Sequence, residues 1–288
     1  MAKILDGKAQ AAVIKNQIKD KIAVLKESAK VSEVSEVPCM AVVQVGDDPA
    51  STIYIRQKEK ACEEVGMGFK KVSLPGDISR EAMLAEIDAL NADKNVHGFM
   101  VQQPLPKHLD ADEIVDRIKP GKDVDCLHPY NVGLVTEGKG SLLPCTPAGV
   151  IALLDAYDID LKGKHAVIVG RSRIVGKPLG MMMLNRNATV TYCHSQTKNL
   201  KEICQQADVL AVAIGRAKFV TADMIKPGCI LVDVGINRVD ESSKKICGDV
   251  DYEGCLEKAS YITPVPGGIG PMTVATLVAN GLKAYENK

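Results

Sequence analysis

Lys58 is the residue of this chain whose placement most directly indicates chemistry. The segment Ser51–Val65 is predicted to be a helix, because its polar and apolar residues separate onto two faces at about 100° per residue. Lys58 falls on the apolar face, one turn after Tyr54 and two turns after Ser51. An amine held against apolar surface loses hydration, which favours its neutral form and suits it to proton transfer. The alternative is a lysine whose stem packs on the core while its ammonium group reaches water.

A glycine-containing turn in the second half of the chain is typical of a phosphate site. The predicted strand at 165–169 runs into Gly170, Arg171 and Ser172, and a predicted helix follows Gly176. A strand, a glycine turn and a helix N-terminus together present backbone N–H groups to a phosphate. Ser172 stands where the second glycine of G-x-G-x-x-G would be, so a plain strand–helix connection is the alternative.

The end of the next predicted strand favours NADP over NAD. His194 and Ser195 follow it, where an NAD enzyme usually places Asp or Glu for the ribose hydroxyl. The missing acid and the nearby Arg171 and Arg173 favour the extra 2′-phosphate of NADP. We expect Arg171 and Ser195 to contact that phosphate. Ordinary solvated surface charge is the alternative for the arginines.

A second loop, Pro264–Thr273, holds three prolines and three glycines ahead of the last predicted helix. Glycines let a backbone approach a ligand closely, and prolines fix the path of a loop. The pattern favours ligand contact, and a rigid loop that only turns the chain is the alternative.

Alternating strands and helices must position these residues, and such alternation implies an α/β fold with parallel sheets covered by helices. Strands are predicted at 38–45, 69–74, 98–101, 165–169, 189–193, 209–214 and 229–234. Helices are predicted at 8–29, 51–65, 80–91, 110–118, 147–157, 177–185, 199–206 and 273–285. The Gly-, Pro- and Asn-containing stretch 119–147 is predicted to be a loop-rich domain junction, and 32–37 a surface loop.

Composition excludes several classes of protein. Lys plus Arg and Asp plus Glu both number 36, and this balance argues against binding to nucleic acid or a membrane surface through bulk charge. No apolar run reaches membrane-spanning length, and the N-terminus lacks a secretory segment. Nine cysteines without a C-x-x-C pair indicate reduced thiols in a cytosolic protein. Five histidines without metal-ligand spacing predict no metal site.

Five segments together resemble the bifunctional methylenetetrahydrofolate dehydrogenase/methenyltetrahydrofolate cyclohydrolase family. They are Tyr54-x-x-x-Lys58, Val101–Pro106, Lys122–Asp125, Gly170–Pro178 and Pro266–Thr273. They span nearly the whole chain in the order and spacing of that family. The chain departs from the family at Gln103, where Leu is usual, at Cys126, where Gly is usual, and at Ile269, where Val is common.

The resemblance implies a two-domain α/β fold with a cleft between the domains. Residues 1–146 plus 265–288 would form the folate-binding domain, and 147–264 a Rossmann-type NADP domain. It also implies a cytoplasmic homodimer that serves one-carbon metabolism, through tetrahydrofolate interconversion and purine biosynthesis. Two rival classes are another two-domain NADP dehydrogenase, acting on an amino acid or hydroxy acid, and a non-catalytic NADP-binding module.

The resemblance further implies that NADP⁺ oxidises 5,10-methylenetetrahydrofolate to the 5,10-methenyl compound, which water then opens to 10-formyltetrahydrofolate. Lys58 would manage protons with Gln102 as its partner, Tyr54 would stack on the pterin-side rings, and Asp125 would accept hydrogen bonds from the pterin. The remaining substrate contacts are expected from Ser51, Val101, Pro266, Gly267, Gly268, Ile269 and Gly270. Cofactor contacts are expected from Gly170, Arg171, Ser172, Gly176, His194, Ser195 and Ile236.

Overall fold

The computed structural model describes residues 1–31, 37–239 and 245–288, so most of the predicted surface loop at 32–37 lies outside the described residues. The strands are β1 (Lys3–Ile4), β2 (Cys39–Val45), β3 (Gly68–Leu74), β4 (Gly98–Val101), β5 (His165–Val169), β6 (Thr189–Cys193), β7 (Val209–Val212), β8 (Ile230–Asp233), β9 (Asn237–Arg238), β10 (Ile246–Cys247) and β11 (Tyr261–Ile262). The helices are α1 (Gly7–Val31), α2 (Pro49–Val65), α3 (Arg80–Ala92), α4 (Ala111–Arg117), α5 (Pro129–Thr136), α6 (Cys145–Ala156), α7 (Gly176–Leu184), α8 (Leu200–Cys204), α9 (Tyr252–Cys255) and α10 (Ile269–Glu286). Short 3₁₀ turns occur at Pro120–Lys122 and Ala222–Met224.

The chain divides into two compact units, and the predicted two-domain α/β class is confirmed. One unit, called the Lys58 unit below, comprises Ala12–Leu134, Lys139–Cys145 and Val274–Lys288. The Rossmann unit comprises Met1–Ala11, Val135–Gly138 and Thr146–Thr273. These units are defined by compactness, and the functional boundaries 1–146 plus 265–288 and 147–264 stay a prediction.

The Lys58 unit is built on a parallel sheet in the order β3-β2-β4. Its central strand β2 is almost wholly buried, as expected for a parallel strand covered on both faces. Val43 pairs with Val101, so Gln102 follows directly at the carboxyl end of β4. Next to it in the sheet, β2 leads into α2, whose first turn is capped by the Asp48 carboxylate accepting from the Ser51 N–H at 2.7 Å. This cap fixes the register of the helix that carries Lys58.

The Rossmann unit is built on a parallel sheet in the order β1-β11-β8-β7-β5-β6. Val169 at the end of β5 pairs with Cys193 of β6 and with Val212 of β7, so these strands end at one edge. Because β6 and β7 lie on opposite sides of β5, the strand order reverses there. In open α/β sheets, this carboxyl edge at the reversal is where dinucleotides bind.

Two sequence predictions about elements were wrong, and four short strands were not predicted. The stretch 119–147 is not all loop, because it contains α5 and the start of α6. Its Pro and Gly content concealed α5, whose proline stands at the first helical position, where a missing N–H costs little. The last helix begins at Ile269 rather than Thr273, so Gly270 and Pro271 lie in its first turn. The two-residue strands β1, β9, β10 and β11 are too short to show a period-2 pattern.

Candidate active site

Lys58 lies partly buried on α2, with its amine directed at the end of β4. Its Nζ donates a hydrogen bond to Gln102 Oε1 at 2.7 Å and lies 3.2 Å from Met100 Sδ. Burial lowers the pKa of Lys58, and the negative charge of Asp125 opposes that shift. The amine therefore has a defined hydrogen-bond partner inside the unit. A lysine whose ammonium group reached water would have no such partner.

Gln102 is fixed from two sides. Its backbone N–H donates to Val43 O at 2.9 Å, which continues the β2–β4 pairing by one residue. Its side-chain Nε2 donates to Gln103 O at 2.7 Å, so Oε1 is the atom that faces Lys58. The amide therefore holds the lysine amine in a single direction.

Asp125 and Lys58 interact through their charges. Burial raises the pKa of the Asp125 carboxyl, while Lys58 and a hydrogen bond with the Cys145 thiol lower it. The lysine and the carboxyl thus shift each other toward the charged forms, against the effect of burial. The structure brings together Lys58, Gln102 and Asp125, three of the four residues predicted to be catalytic.

The loop that carries Asp125 is held by its neighbour Asp123, whose side chain is fully buried. The Asp123 carboxylate accepts from the backbone N–H groups of Leu127 at 3.3 Å and His128 at 2.9 Å, and from Asn131 Nδ2 at 2.9 Å. These bonds tie the loop to the first turn of α5. Asp123 therefore has a structural role that differs from that of Asp125.

Asn280 on α10 is a residue that sequence reasoning missed. Its Nδ2 donates to Val124 O at 2.8 Å and to Leu143 O at 2.7 Å, and its Oδ1 accepts from the Leu143 N–H at 3.3 Å. It thereby fixes the residue before Asp125 and the segment that leads to Cys145. A single asparagine in an otherwise apolar stretch of the last helix was the available signal, because a buried amide requires partners.

The backbone conformation at Cys126 is one that favours glycine. Its φ is +57°, in the left-handed region, where a side chain costs about 1 kcal/mol or more. The side chain is nevertheless buried, with Sγ donating to Leu142 O at 3.3 Å.

We expect the Cys126→Gly variant to be more stable than the Cys126→Ala variant by about 0.5–1 kcal/mol, because only glycine adopts the left-handed backbone conformation without strain. This reverses the order usual at ordinary positions. Denaturant unfolding of the two variants measures it, and an alanine variant clearly more stable than the glycine variant would contradict the strain.

The predicted substrate residues of α2 and β4 differ in exposure. Ser51 is buried at the start of α2, whereas Tyr54 is 44% exposed, although the helical period predicts it on the apolar face together with Ile55. Ile55 is buried, as that period predicts. The Val101 side chain packs in the core, which leaves only its backbone for substrate contact.

The glycines of the predicted phosphate turn are required by close packing in the Rossmann unit. Gly170 has a φ of +131°, and a Cβ there would lie 2.4 Å from Ala213 O. A Cβ on Gly176 would lie 2.3 Å from Gly170 O. Ser172 Oγ accepts from the N–H groups of Val175 at 3.1 Å and Gly176 at 3.3 Å, so its hydroxyl satisfies two backbone donors at the start of α7.

Arg171 and Ser195 are exposed at the ends of neighbouring strands. The Gly170 N–H donates to Cys193 O at 2.9 Å, which joins the turn after β5 to the turn after β6. The His194 N–H donates to Thr197 Oγ1 at 2.8 Å, and no acidic residue occurs from 193 to 198. A cation, a hydroxyl and no carboxylate fit a ribose that carries a 2′-phosphate. Ile236, the last predicted cofactor residue, is 49% exposed just beyond β8.

The loop Pro266–Gly270 also belongs to the Rossmann unit, and its glycines differ. Gly268 O would lie 1.9 Å from a Cβ on Gly7, and the Lys8 N–H donates to Gly267 O at 2.8 Å. These two glycines therefore pack against the start of α1, and Ile269 is buried. At Gly270 a Cβ would meet its nearest atom, Ile236 Cδ1, only at 3.9 Å. Protein packing thus accounts for part of the glycine content and leaves Gly270 unexplained.

Comparison with known proteins decides between the family and its rivals. The sequence profile described as "Tetrahydrofolate dehydrogenase/cyclohydrolase, catalytic domain" matches residues 5–125, and its companion "NAD(P)-binding domain" matches residues 144–288. The chain belongs to the tetrahydrofolate dehydrogenase/cyclohydrolase family. It is therefore an enzyme of that bifunctional class, and the resemblance of its five segments is confirmed.

Three relatives show that the tetrahydrofolate dehydrogenase/cyclohydrolase match covers the whole chain. The bifunctional protein FolD of Halalkalibacterium halodurans is 51% identical over 285 residues, 99% of each chain. The crystal structure of bifunctional FolD from Campylobacter jejuni is 49% identical with a TM-score of 0.94, covering 100% of this chain and 99% of that one. The Trypanosoma brucei FolD structure, complexed with NADP and an inhibitor, is 35% identical with a TM-score of 0.94, covering 99% and 98%.

Two further features of the described residues concern metal binding and membrane spans. In the part of the chain that the structure describes, no group of three or more His, Cys, Asp or Glu side chains is arranged to hold a metal ion. None of the described helices is long and apolar enough to cross a membrane.

Proposed function

We propose that Lys58, Gln102 and Asp125 form the chemical centre of an enzyme that oxidises 5,10-methylenetetrahydrofolate with NADP⁺ and hydrolyses the product to 10-formyltetrahydrofolate. The observation that carries this proposal is the 2.7 Å hydrogen bond from the partly buried Lys58 Nζ to Gln102 Oε1. This bond supports the proposal because it fixes in one direction an amine whose pKa is lowered by burial, as a group that moves protons requires.

The oxidation step does not require the protein to transfer a proton. NADP⁺, when bound, supplies the acceptor for the hydride that leaves the methylene carbon. The resulting cation is stabilised by the two folate nitrogens that flank this carbon. The protein therefore contributes chiefly by positioning the folate, and a modest misplacement would slow the step.

The hydrolysis needs a base and then an acid. Water adds to the methenyl carbon, and a C–O bond forms while the water gives a proton to the neutral Lys58 amine. The lysine then returns that proton to the ring nitrogen as the bond from this nitrogen to the carbon breaks. The added hydroxyl releases its own proton to solvent as the C=O double bond forms, so the formyl group stays on the other nitrogen and one proton is released overall. Gln102 keeps the amine aimed throughout, and the lowered pKa increases the neutral fraction that the first step needs.

Folate recognition is assigned to the residues around this centre. The Asp125 carboxylate would accept hydrogen bonds from the amino and ring N–H groups of the pterin. The exposed Tyr54 ring would stack on the pterin-side rings. Ser51, Val101 and the loop Pro266–Gly270 remain the predicted further contacts.

NADP recognition is assigned to the carboxyl edge of the Rossmann sheet. The N-terminus of α7 with Gly170, Ser172 and Gly176 would receive the pyrophosphate. Arg171 and Ser195 would bind the 2′-phosphate, beside His194. Ile236 would contact the other end of the cofactor.

We expect Arg171→Ala to weaken NADP⁺ binding by about 1.5–3 kcal/mol, because a charged hydrogen bond to the 2′-phosphate is lost. NAD⁺ lacks this phosphate, so its affinity should change little. Titration of both cofactors measures the difference, and an equal loss for the two would contradict the assignment.

The same proposal includes the cellular setting. The absence of a nucleic-acid partner agrees with zero net charge, and a cytoplasmic location agrees with nine unpaired cysteine thiols. The homodimer is expected from the resemblance to the family. Sedimentation of the purified protein tests the dimer.

One assay tests the proposed function directly. The protein is mixed with methylenetetrahydrofolate and either NADP⁺ or NAD⁺, and the methenyl and formyl products are followed separately. Both products should form, faster with NADP⁺. Absence of the methenyl product would overturn the proposal.

A further inference from the structure

Two buried aspartates lie at the carboxyl edge of the Rossmann sheet, and neither was singled out by the sequence. Asp233 is the last residue of β8 and pairs with Val212 of β7, and its side chain is 3% exposed. Asp249 follows β10 and is 0% exposed. A buried carboxylate is costly unless donors surround it, so the groups that face these two define their role.

Asp249 holds the loop that follows β7. Its Oδ2 accepts from the N–H groups of Ile214 at 2.7 Å and Gly215 at 3.0 Å, and its Oδ1 accepts from the Arg216 N–H at 2.8 Å. Oδ1 also accepts from Asn237 Nδ2 at 2.8 Å. One carboxylate thus joins the loop after β7 to the segment after β8.

Asp233 holds Asp249 in turn. Its Oδ1 accepts from the N–H groups of Gly235 and Asp249, both at 2.9 Å, and its Oδ2 accepts from the Val250 N–H at 2.9 Å. The Asp233 carboxylate therefore fixes the backbone on which Asp249 stands. Burial raises its pKa to about 6, and the charge of Asp249 adds to that shift.

Two glycines let the chain close on these carboxylates. A Cβ on Gly235 would lie 2.2 Å from Asp249 Oδ1, and a Cβ on Gly248 would lie 1.7 Å from Asp233 Oδ2. The two loops are thus shaped around the carboxylates at van der Waals distance, which leaves little room for another loop conformation.

The location of these loops connects them to the cofactor. The phosphate turn and the 2′-phosphate residues follow β5 and β6, so a dinucleotide that crosses the edge must place its other half over β7 and β8. Ala213, at the start of the first loop, packs directly on Gly170. Ile236 lies in the second loop, between Gly235 and Asn237.

We infer that Asp233 and Asp249 form a carboxylate brace that presets the loops 213–216 and 234–237 to receive the nicotinamide-ribose half of the cofactor. They are positioning residues, since they act through the backbone of these loops. The inference rests on the proposed NADP site and adds the residues that shape its second half.

The test separates the two halves of the cofactor. Asp249→Asn keeps the side-chain shape but turns an NH₂ group toward backbone N–H donors. We expect it to weaken NADP⁺ binding about tenfold or more. Binding of adenosine 2′,5′-bisphosphate, which lacks the nicotinamide half, should stay within about twofold of the unmodified enzyme, because the turns after β5 and β6 are untouched.

Two further variants complete the experiment, with binding to the full-length enzyme measured by calorimetry. Asn237→Ala removes only one donor and leaves both carboxylates, so it answers the question even if Asp249→Asn does not fold; it should show the same selective loss on a smaller scale. Asp208→Asn is the matched control, because Asp208 accepts the His165 N–H at the opposite edge of this sheet, and it should change neither affinity.

The outcomes are distinct. Selective loss of NADP⁺ affinity supports the brace. Equal loss of both ligands, or no loss of either, overturns it while the NADP site itself stands. Failure of the unmodified enzyme to bind either ligand overturns the proposed cofactor site together with the brace.

Discussion

Lys58→Met should lower cyclohydrolase turnover by about 10²–10⁴-fold, the scale expected for loss of a general acid–base group. Methionine fills a similar volume beside Met100 but cannot carry a proton. Hydride transfer should fall less, because that step depends on positioning rather than on a proton carrier. The two steps are assayed separately on the purified variant.

The variant should remain folded. Burial lowers the pKa of Lys58, which means that the charged amine is less stable in this position than in water, and methionine removes that cost. Removal of the amine also takes away the charge that lowers the pKa of Asp125, so folate affinity is measured alongside turnover.

A matched control lies on the same helix. Lys60→Met replaces an exposed lysine of α2 and should leave both activities unchanged. Thermal melting of both variants checks folding. A well-folded Lys58→Met enzyme with normal cyclohydrolase turnover would show that this lysine only packs its stem on the core.

The sequence predicted the parts of this site that depend on local periodicity. The 3.6-residue period of α2 placed Lys58 on the apolar face, and the apolar run of β4 placed Gln102 just beyond a strand end. Periodicity did not pair the two residues, because Gln102 was expected as the partner of Lys58 only from the resemblance to the family. The helical period did not predict that Tyr54 stays exposed, because exposure depends on which neighbouring elements cover a face.

Other parts depend on contacts that periodicity does not encode. Asp249 acts on the N–H groups of residues more than thirty positions away, and any residue type supplies such a donor. Asn280 contacts the backbone of Val124 at a sequence separation of 156. A sequence shows the acceptor or the amide but not the distant backbone it meets, so these positioning residues emerged only from the fold.

Asp125→Ala should impair both activities together, mainly through weaker folate binding. Loss of a carboxylate that accepts two hydrogen bonds from the pterin should cost about 1.5–3 kcal/mol for each bond, so we expect the folate dissociation constant to rise by about 10²–10⁴-fold. Direct titration with a folate ligand measures this, and Asp116→Ala, at an exposed carboxylate on α4, is the control.

The Asp125→Ala variant should also change the pH dependence of cyclohydrolase activity. The Asp125 charge raises the pKa of Lys58, so its removal lowers that pKa further. If the neutral amine is the base, cyclohydrolase activity rises with pH through the pKa of Lys58, and this rise should move to lower pH in Asp125→Ala at saturating folate. Normal folate affinity with an unmoved profile would leave Asp125 only the role of shaping the loop before Cys126. Weakened affinity with the shifted profile requires a carboxyl that both binds the pterin and sets the charge of Lys58.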